Sequence, residues 1–303
     1  MTTSKKAVLV CCLATVLIIG TGLGFDWFGF AKKQGVSSDS SRLFSQPAVS
    51  ASPARPDGWL VYQTPQGIYK IHSSGKGGKL LAPKGRLPRW SPDGKKIGFI
   101  RGNDIVLMAG DGTRERLLTK GTGVRTLCFH PAGRSLLFSD KKGLHSIDLR
   151  GGAVKTIATG HEIWELDLAG KPVVMIATVK TLVGWRVKII APGHGKGQPV
   201  SMGCSASLSP DGRYATVNSR SHKELYFFEA KSKKKVHRIK SPRGIKFDNQ
   251  LWSNHPQWLV SSVGKSKTNR RIYLNHAVSG TAFRLTSVHS DRGDFFVTPS
   301  RTK

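Results

Sequence analysis

The sequence predicts an all-β fold, a six-bladed β-propeller closed by N- and C-terminal strands and preceded by one transmembrane helix. Three observations predict it. The phrase Trp90-Ser91-Pro92-Asp93-Gly94 recurs in edited copies, roughly 40 residues apart, and a period of that size marks a repeat array. Behind each copy, apolar and polar residues alternate with the period of two of a half-buried strand. Near the N-terminus, residues 7–25 carry no charge.

That uncharged stretch follows Lys5-Lys6 and is succeeded by Asp26-Trp27-Phe28 and then Lys32-Lys33. About 19 such residues just span a bilayer as a helix. The stretch is long for a cleaved secretory signal and lacks a clean Ala-x-Ala site, so residues 1–33 are read as a signal anchor with its flanks. The short basic N-terminus stays inside, which places the rest outside the cytoplasmic membrane, periplasmic and single-pass, or secreted if the signal is cleaved. Lipidation at Cys11 or Cys12 does not fit, because only four apolar residues precede Cys11 and Val10 is not small. Residues 34–57 are rich in Ser, Ala and Pro without a sustained apolar period, the composition of a disordered tether.

The ring is assigned to residues 58–303. Its clearest copy runs from Trp90-Ser91-Pro92-Asp93-Gly94 through strands at 95–101 and 104–108, a turn at Asp111-Gly112 and a fourth strand at 116–119. Phe129-His130-Pro131-Ala132-Gly133 and Leu208-Ser209-Pro210-Asp211-Gly212 open further copies, with weaker ones at 166–170 and 252–256. Proline fixes φ, the Asp carboxylate accepts from the backbone two residues on, and Gly takes φ > 0. Pro92, Asp93 and Gly94, and likewise Pro210, Asp211 and Gly212, are therefore structural turns. Asp111-Gly112 and Gly151-Gly152 read as hairpin turns rather than calcium loops.

Unit boundaries fall near residues 58, 87, 122, 161, 202 and 242, hence six blades. The first unit starts abruptly at Trp59-Leu60-Val61-Tyr62 with no opening strand, while residues 294–300 are left over; these are read as the missing strand, closing the ring so that no sheet edge is exposed there. Trp59, Trp90, Trp164, Trp185, Trp252 and Trp258 are read as packing between blades.

The repeat at residues 90–119 resembles that of the TolB-like propellers (WSPDG or WD40-like repeats) of bacterial envelope proteins, and the resemblance covers nearly everything after residue 58. It implies a ring whose face engages a protein or peptide partner, and the lack of active-site chemistry makes that a binding role without enzymatic activity. The chain departs from that family in its basic balance, and in leaving no room for the α/β domain that precedes the ring in the family's namesake.

Lys and Arg outnumber Asp and Glu by 48 to 18, a formal net charge of +30, so an anionic partner is implied. The densest run supplies a basic patch of Lys231, Lys233, Lys234, Lys235, Arg238, Lys240, Arg243 and Lys246 on the outer strand and exit loop of the fifth blade. Nucleic acid would be the first partner for such a balance in the cytoplasm, and the export signal argues against it. Anionic lipid, envelope polymer or an acidic protein surface remain.

Catalytic constellations are scarce. The ten histidines contain no His-x-x-x-His, and the single pair His161-Glu162 falls at a blade boundary, so neither a metal nor a cofactor is indicated. His130 and His255 take the place of the polar residue before Pro in their repeats and are the candidates for the central channel, where a propeller hydrolase or lyase would use them. Gly203-Cys204-Ser205-Ala206-Ser207 lacks the last Gly of a nucleophile elbow. Cys128 and Cys204 belong to blades that are not neighbours, and a disulfide needs Cα atoms within about 7 Å. They are read as two free, buried thiols.

Overall fold

The computed structural model describes residues 43–44, 52–120, 123–160, 162–190 and 197–299. The chain divides between Lys32 and Lys33, and every described residue belongs to the second unit. The anchor expected over residues 1–33 lies outside the described residues. Among the described residues no helix is long and apolar enough to cross a membrane.

The described strands form six antiparallel four-stranded sheets. Blade 1 holds β1 (Gly58–Thr64), β2 (Gly67–His72), β3 (Lys79–Pro83) and the last strand, β24 (Asp291–Val297). Blade 2 is β4 (Gly85–Trp90), β5 (Lys96–Arg101), β6 (Asp104–Ala109) and β7 (Arg116–Thr119). Blade 3 follows with β8 (Thr126–Phe129), β9 (Ser135–Ser139), β10 (Gly143–Asp148) and β11 (Lys155–Thr159). Blade 4 is β12 (Ile163–Ala169), β13 (Val174–Thr181), β14 (Gly184–Ile190) and β15 (Gln198–Met202). Blade 5 is β16 (Ser207–Leu208), β17 (Tyr214–Asn218), β18 (Glu224–Glu229) and β19 (Lys235–Lys240). Blade 6 completes the ring with β20 (Phe247–Trp252), β21 (Trp258–Gly264), β22 (Arg270–His276) and β23 (Ala282–Arg284). The blades open within a few residues of the expected boundaries.

Alternation along the middle strands explains why sheets stack radially. In blade 2, Ile97, Phe99, Val106 and Met108 pack against Val61, Ile68 and Ala82 of blade 1. Ile100, Ile105 and Leu107, on the other face, pack against Leu127, Phe129, Leu136 and Phe138 of blade 3. Both faces of the sheet are thus covered by neighbouring sheets, and no helix is needed. Gly98 sits where blade 3 comes closest: a Cβ there would lie 3.0 Å from Leu136 and 3.2 Å from Phe129.

Closure follows the sequence expectation. β24 pairs with β1 with Trp59 opposite Phe296 and Leu60 opposite Phe295, and it begins at Asp291, three residues before the leftover segment. Phe295 is 1% exposed and packs with Leu60, Trp258 and Leu274, so one side chain joins blade 1 to blade 6.

Two expectations are corrected by packing. Leu43 and Phe44, inside the stretch read as tether, are seated on blades 5 and 6: Phe44 stacks on His237 at 4.8 Å and meets Tyr214 edge-on at 4.8 Å. Of the six tryptophans, Trp90, Trp252 and Trp258 are buried, but Trp164 and Trp185 are exposed and pair with one another instead, because they stand at the solvent ends of β12 and β14.

Replacing Phe295 with alanine should cost about 3–5 kcal/mol, the range for a buried Phe, and deleting residues 291–303 should abolish cooperative melting of the whole ring. A deletion variant with the wild-type thermal transition would overturn the closure.

Candidate functional site

The six innermost strands run from one face of the ring, here called the entry face, to the opposite face, where the Pro-Asp-Gly turns lie. Each carries an opening residue at or near its end: Trp90, Phe129, Leu168, Leu208, Trp252 or Phe295. The residues one step before these are Arg89, Cys128, Asp167, Ser207, Leu251 and Asp294. Because strand side chains alternate, this step meets at the axis. Arg89 donates to Asp167 at 2.7 Å and lies 3.7 Å from Asp294. Ser207 Oγ donates to Asp167 at 2.6 Å. The peptide N–H groups of three opening residues finish the belt: Trp90 donates to Asp294 at 2.8 Å, Leu208 to Asp167 at 3.0 Å and Trp252 to Ser207 Oγ at 2.8 Å. In each case the acceptor belongs to the preceding blade.

Two residues nearer the entry face, the same device recurs. Leu87, Ser205, Asn249 and Arg292 all have φ between 48° and 59°, a left-handed conformation rare for side-chain-bearing residues. It turns their N–H groups towards the preceding blade: Leu87 donates to Gln63 at 3.0 Å, Asn249 to Ser205 Oγ at 3.2 Å, Arg292 to Ser262 Oγ at 3.2 Å, and Ser205 to Glu165. Strain at four equivalent positions is therefore repaid by bonds between blades.

The belt separates two cavities. Towards the entry face lies a small one of about 50 Å³, lined by both steps and by Gln250, a 4% exposed residue whose amide N and O both lack a partner among the described residues. Towards the turns opens a funnel of about 590 Å³, walled by Trp90, Phe129 and Trp252, by Pro92, Pro131 and Pro210, and by Lys171, Arg213 and Asn254. Burial pushes the Asp294 carboxyl up to about 6, against the opposing pull of Arg89 and the Trp90 N–H.

On the entry face, two features stand out from the repeat. Cys204, His222 and Asp248, from the start of blade 5, its β17–β18 hairpin and the start of blade 6, bring their donor atoms within 4.8 Å of one another. In blade 4, the β13–β14 hairpin ends in Leu182 and Val183, 106% and 67% exposed, beside Trp185, Trp164 and Met202.

The turn residues do what the sequence says they do. Asp93 accepts from Ser91 Oγ at 2.6 Å and from Lys95 N at 3.1 Å; Asp211 repeats this with Ser209 at 2.6 Å and Arg213 N at 3.0 Å. Gly94 and Gly212 have φ of 68° and 73°. His130 and His255, the channel candidates, line neither of these two cavities; each Nδ1 holds its own turn, accepting from Ala132 N at 3.1 Å and Gln257 N at 3.2 Å. Cys128 is buried but Cys204 is only half-buried, with its thiol pushed up to about 11 by burial and by Glu165. Lys231, Lys234, Lys235, Arg238, Lys240, Arg243 and Lys246 are exposed and Lys233 half-buried. Lys235 lies 4.4 Å from the Tyr226 ring and Arg238 pairs with Glu224 at 3.1 Å. Four of the patch residues stand on or beside the outer edge strand β19, where lysines also discourage edge-to-edge pairing. The belt escaped the sequence reading, although its signal was present: Arg89, Asp167, Ser207 and Asp294 are polar residues immediately before an apolar blade opening.

The belt generates two expectations. Ser207→Ala leaves the buried Trp252 N–H unpaired and should cost about 1–3 kcal/mol in denaturant unfolding. Asp294 holds its proton more tightly folded than unfolded, so its contribution to stability falls as pH rises from about 4 to about 6. The stability difference between wild type and Asp294→Asn should move against wild type across that window, by at most about 3 kcal/mol, and then level off. A difference that stays flat from pH 4 to 7 would contradict the burial of that carboxyl.

No family model matches the sequence, and no curated protein is similar to it. Solved structures are. TolB from Acinetobacter baumannii superposes with a TM-score of 0.65 at 18% identity, covering 80% of this chain and 67% of that one. A putative TolB from Agrobacterium tumefaciens gives 0.63 at 13% identity over 78% and 91% of the two chains. A chain of a nidogen/laminin complex gives 0.63 at 7% identity over 79% and 98%. The fold of this chain is that of a six-bladed, TolB-like β-propeller.

Proposed function

We propose that this chain is a membrane-anchored, extracytoplasmic propeller that works as a non-enzymatic scaffold in the cell envelope, gripping a protein or peptide partner on its entry face. One observation carries the reading, the apolar tip of blade 4. The equivalent hairpins of blades 1 to 3 end in Pro65-Gln66, Gly102-Asn103 and Lys141-Lys142, and those of blades 5 and 6 are polar loops. Blade 4 alone presents Leu182-Val183 to solvent, next to the perpendicular pair Trp164 and Trp185, whose ring centroids are 5.5 Å apart. Exposed apolar groups gathered in one place mark partner surfaces, and Trp and Met are the residues that interfaces favour.

Three further points support it. The fold is shared with TolB structures and with a chain of a nidogen/laminin complex, which is an assembly between proteins. The uncharged residues 7–25 suit an anchor. The exposed lysines at residues 231–246 add a field that steers an anionic partner, and they give the second reading, an electrostatic adaptor for anionic lipid or polymer.

A photo-crosslinking residue at position 183 of the full chain, in native membranes, should give one defined protein adduct that Leu182→Asp removes without changing the melting curve. Reversing charge at Lys233, Lys234 and Lys235 should slow adduct formation and reduce its salt dependence, not abolish it. No adduct from position 183, together with one from position 254 in the opposite funnel, would place the partner on the turn face and overturn the reading.

A further inference from the structure

We propose that Cys204, His222 and Asp248 form a binding site for a divalent transition metal of zinc type, clamping blade 5 to blade 6 at the entry mouth of the channel. The three residues are 18 and 26 positions apart in sequence order, which is why no ligand spacing announces them. Cys204 Sγ lies 3.9 Å from His222 Nε2, and all three donor atoms fall within 4.8 Å of one another. With metal–sulfur near 2.3 Å and metal–nitrogen near 2.0 Å, a tetrahedral centre holds its sulfur and nitrogen about 3.5 Å apart. The sulfur–nitrogen spacing is thus a few tenths of an ångström from ligation, with the carboxylate within 4.8 Å of both.

The surroundings are those of ligands held for a metal. His222 Nδ1 is 3.1 Å from the Phe247 carbonyl, and a donor bond there leaves Nε2, the atom facing Cys204, with its lone pair free. Its backbone is fixed too, with φ of 58° and its carbonyl accepting from Phe247 N at 2.6 Å. Asp248 is steadied by Arg270 through one oxygen, and by Asn249 N at 3.1 Å and Ser205 Oγ at 3.2 Å through the other. Ser205 Oγ, 3.8 Å from Cys204 Sγ, or a water can supply the fourth position.

Asn218 is 1% exposed and stands 3.3 Å from His222 Nδ1, yet its Oδ1 has no partner among the described residues. Buried amide oxygens are rarely left so, and a water or ion at this mouth would satisfy it. The neighbouring Glu165 adds negative charge, partly offset by Arg292 at 3.4 Å. Thiolate and imidazole together with one carboxylate favour a borderline metal over magnesium or calcium, which prefer all-oxygen sets.

Cobalt(II) alone is the probe. The full chain is prepared reduced and metal-free with Cys11 and Cys12 changed to serine, so that Cys128 and Cys204 are its only thiols. Titration should saturate at one equivalent, with thiolate-to-cobalt charge transfer and the intense visible bands of a tetrahedral site, all displaced by one equivalent of zinc(II). Cys204→Ser should abolish the charge transfer and Cys128→Ser leave it intact, while His222→Gln and Asp248→Asn should each weaken binding at least about 10-fold. Absence of the band in folded protein, or a band that survives Cys204→Ser, overturns the proposal. If Cys204→Ser fails to fold, His222→Gln decides it: the hairpin variant melting like wild type and binding cobalt with unchanged affinity is equally fatal.

Discussion

Each blade is a sheet with two apolar faces and no helix to cover either, so it is stable only between two other blades. This constraint governs the rest of the molecule. Ile97 and Phe99 need blade 1, Ile100 and Ile105 need blade 3, and the requirement passes round the ring until blade 6 must meet blade 1. A linear stack would leave the first and last sheets uncovered. β24 resolves this by joining the C-terminus to the first sheet, where Phe295 belongs to blade 1 by hydrogen bonding and to the blade 6 interface by packing.

Polar bonds along the channel then fix how the apolar wedges meet. Burial of Ile, Leu and Phe has no direction, whereas an N–H held by a carboxylate, hydroxyl or amide oxygen of the preceding blade does. Three opening residues and four left-handed residues make such bonds, all in one sense round the ring. The cost is a belt of buried charge, Arg89 with Asp167 and Asp294, lying between the two cavities. With the axis occupied by structure, function is left to the two mouths and to the places where blades differ. Blade 4 differs by its apolar tip, and the junction of blades 5 and 6 by its cluster of thiol, imidazole and carboxylate.

Much of the ring was legible before any coordinates. Asp93 and Asp211 bond residues two places away, so their role is contained in five consecutive letters. The closing strand was legible from a deficit at one end and a surplus at the other. Trp164 and Trp185 were misread because a large aromatic is ordinarily core, and only their place at the ends of β12 and β14 leaves them in solvent. His130 and His255 each hold their own turn through Nδ1, a local role that the repeat did not announce.

The sequence by itself determined the all-β fold class, the number of blades and closure by a C-terminal strand, because period, alternation and turn chemistry are short-range and each copy repeats them. Tertiary structure alone decided which side chains meet. Arg89 and Asp167 are 78 residues apart, and the Trp90 N–H and Asp294 are 204 apart. Neither pair is a neighbour until six sheets have closed on one axis. The same holds for Cys204, His222 and Asp248: three ordinary letters in two loops and the start of a strand, made a cluster by the packing of one blade against the next.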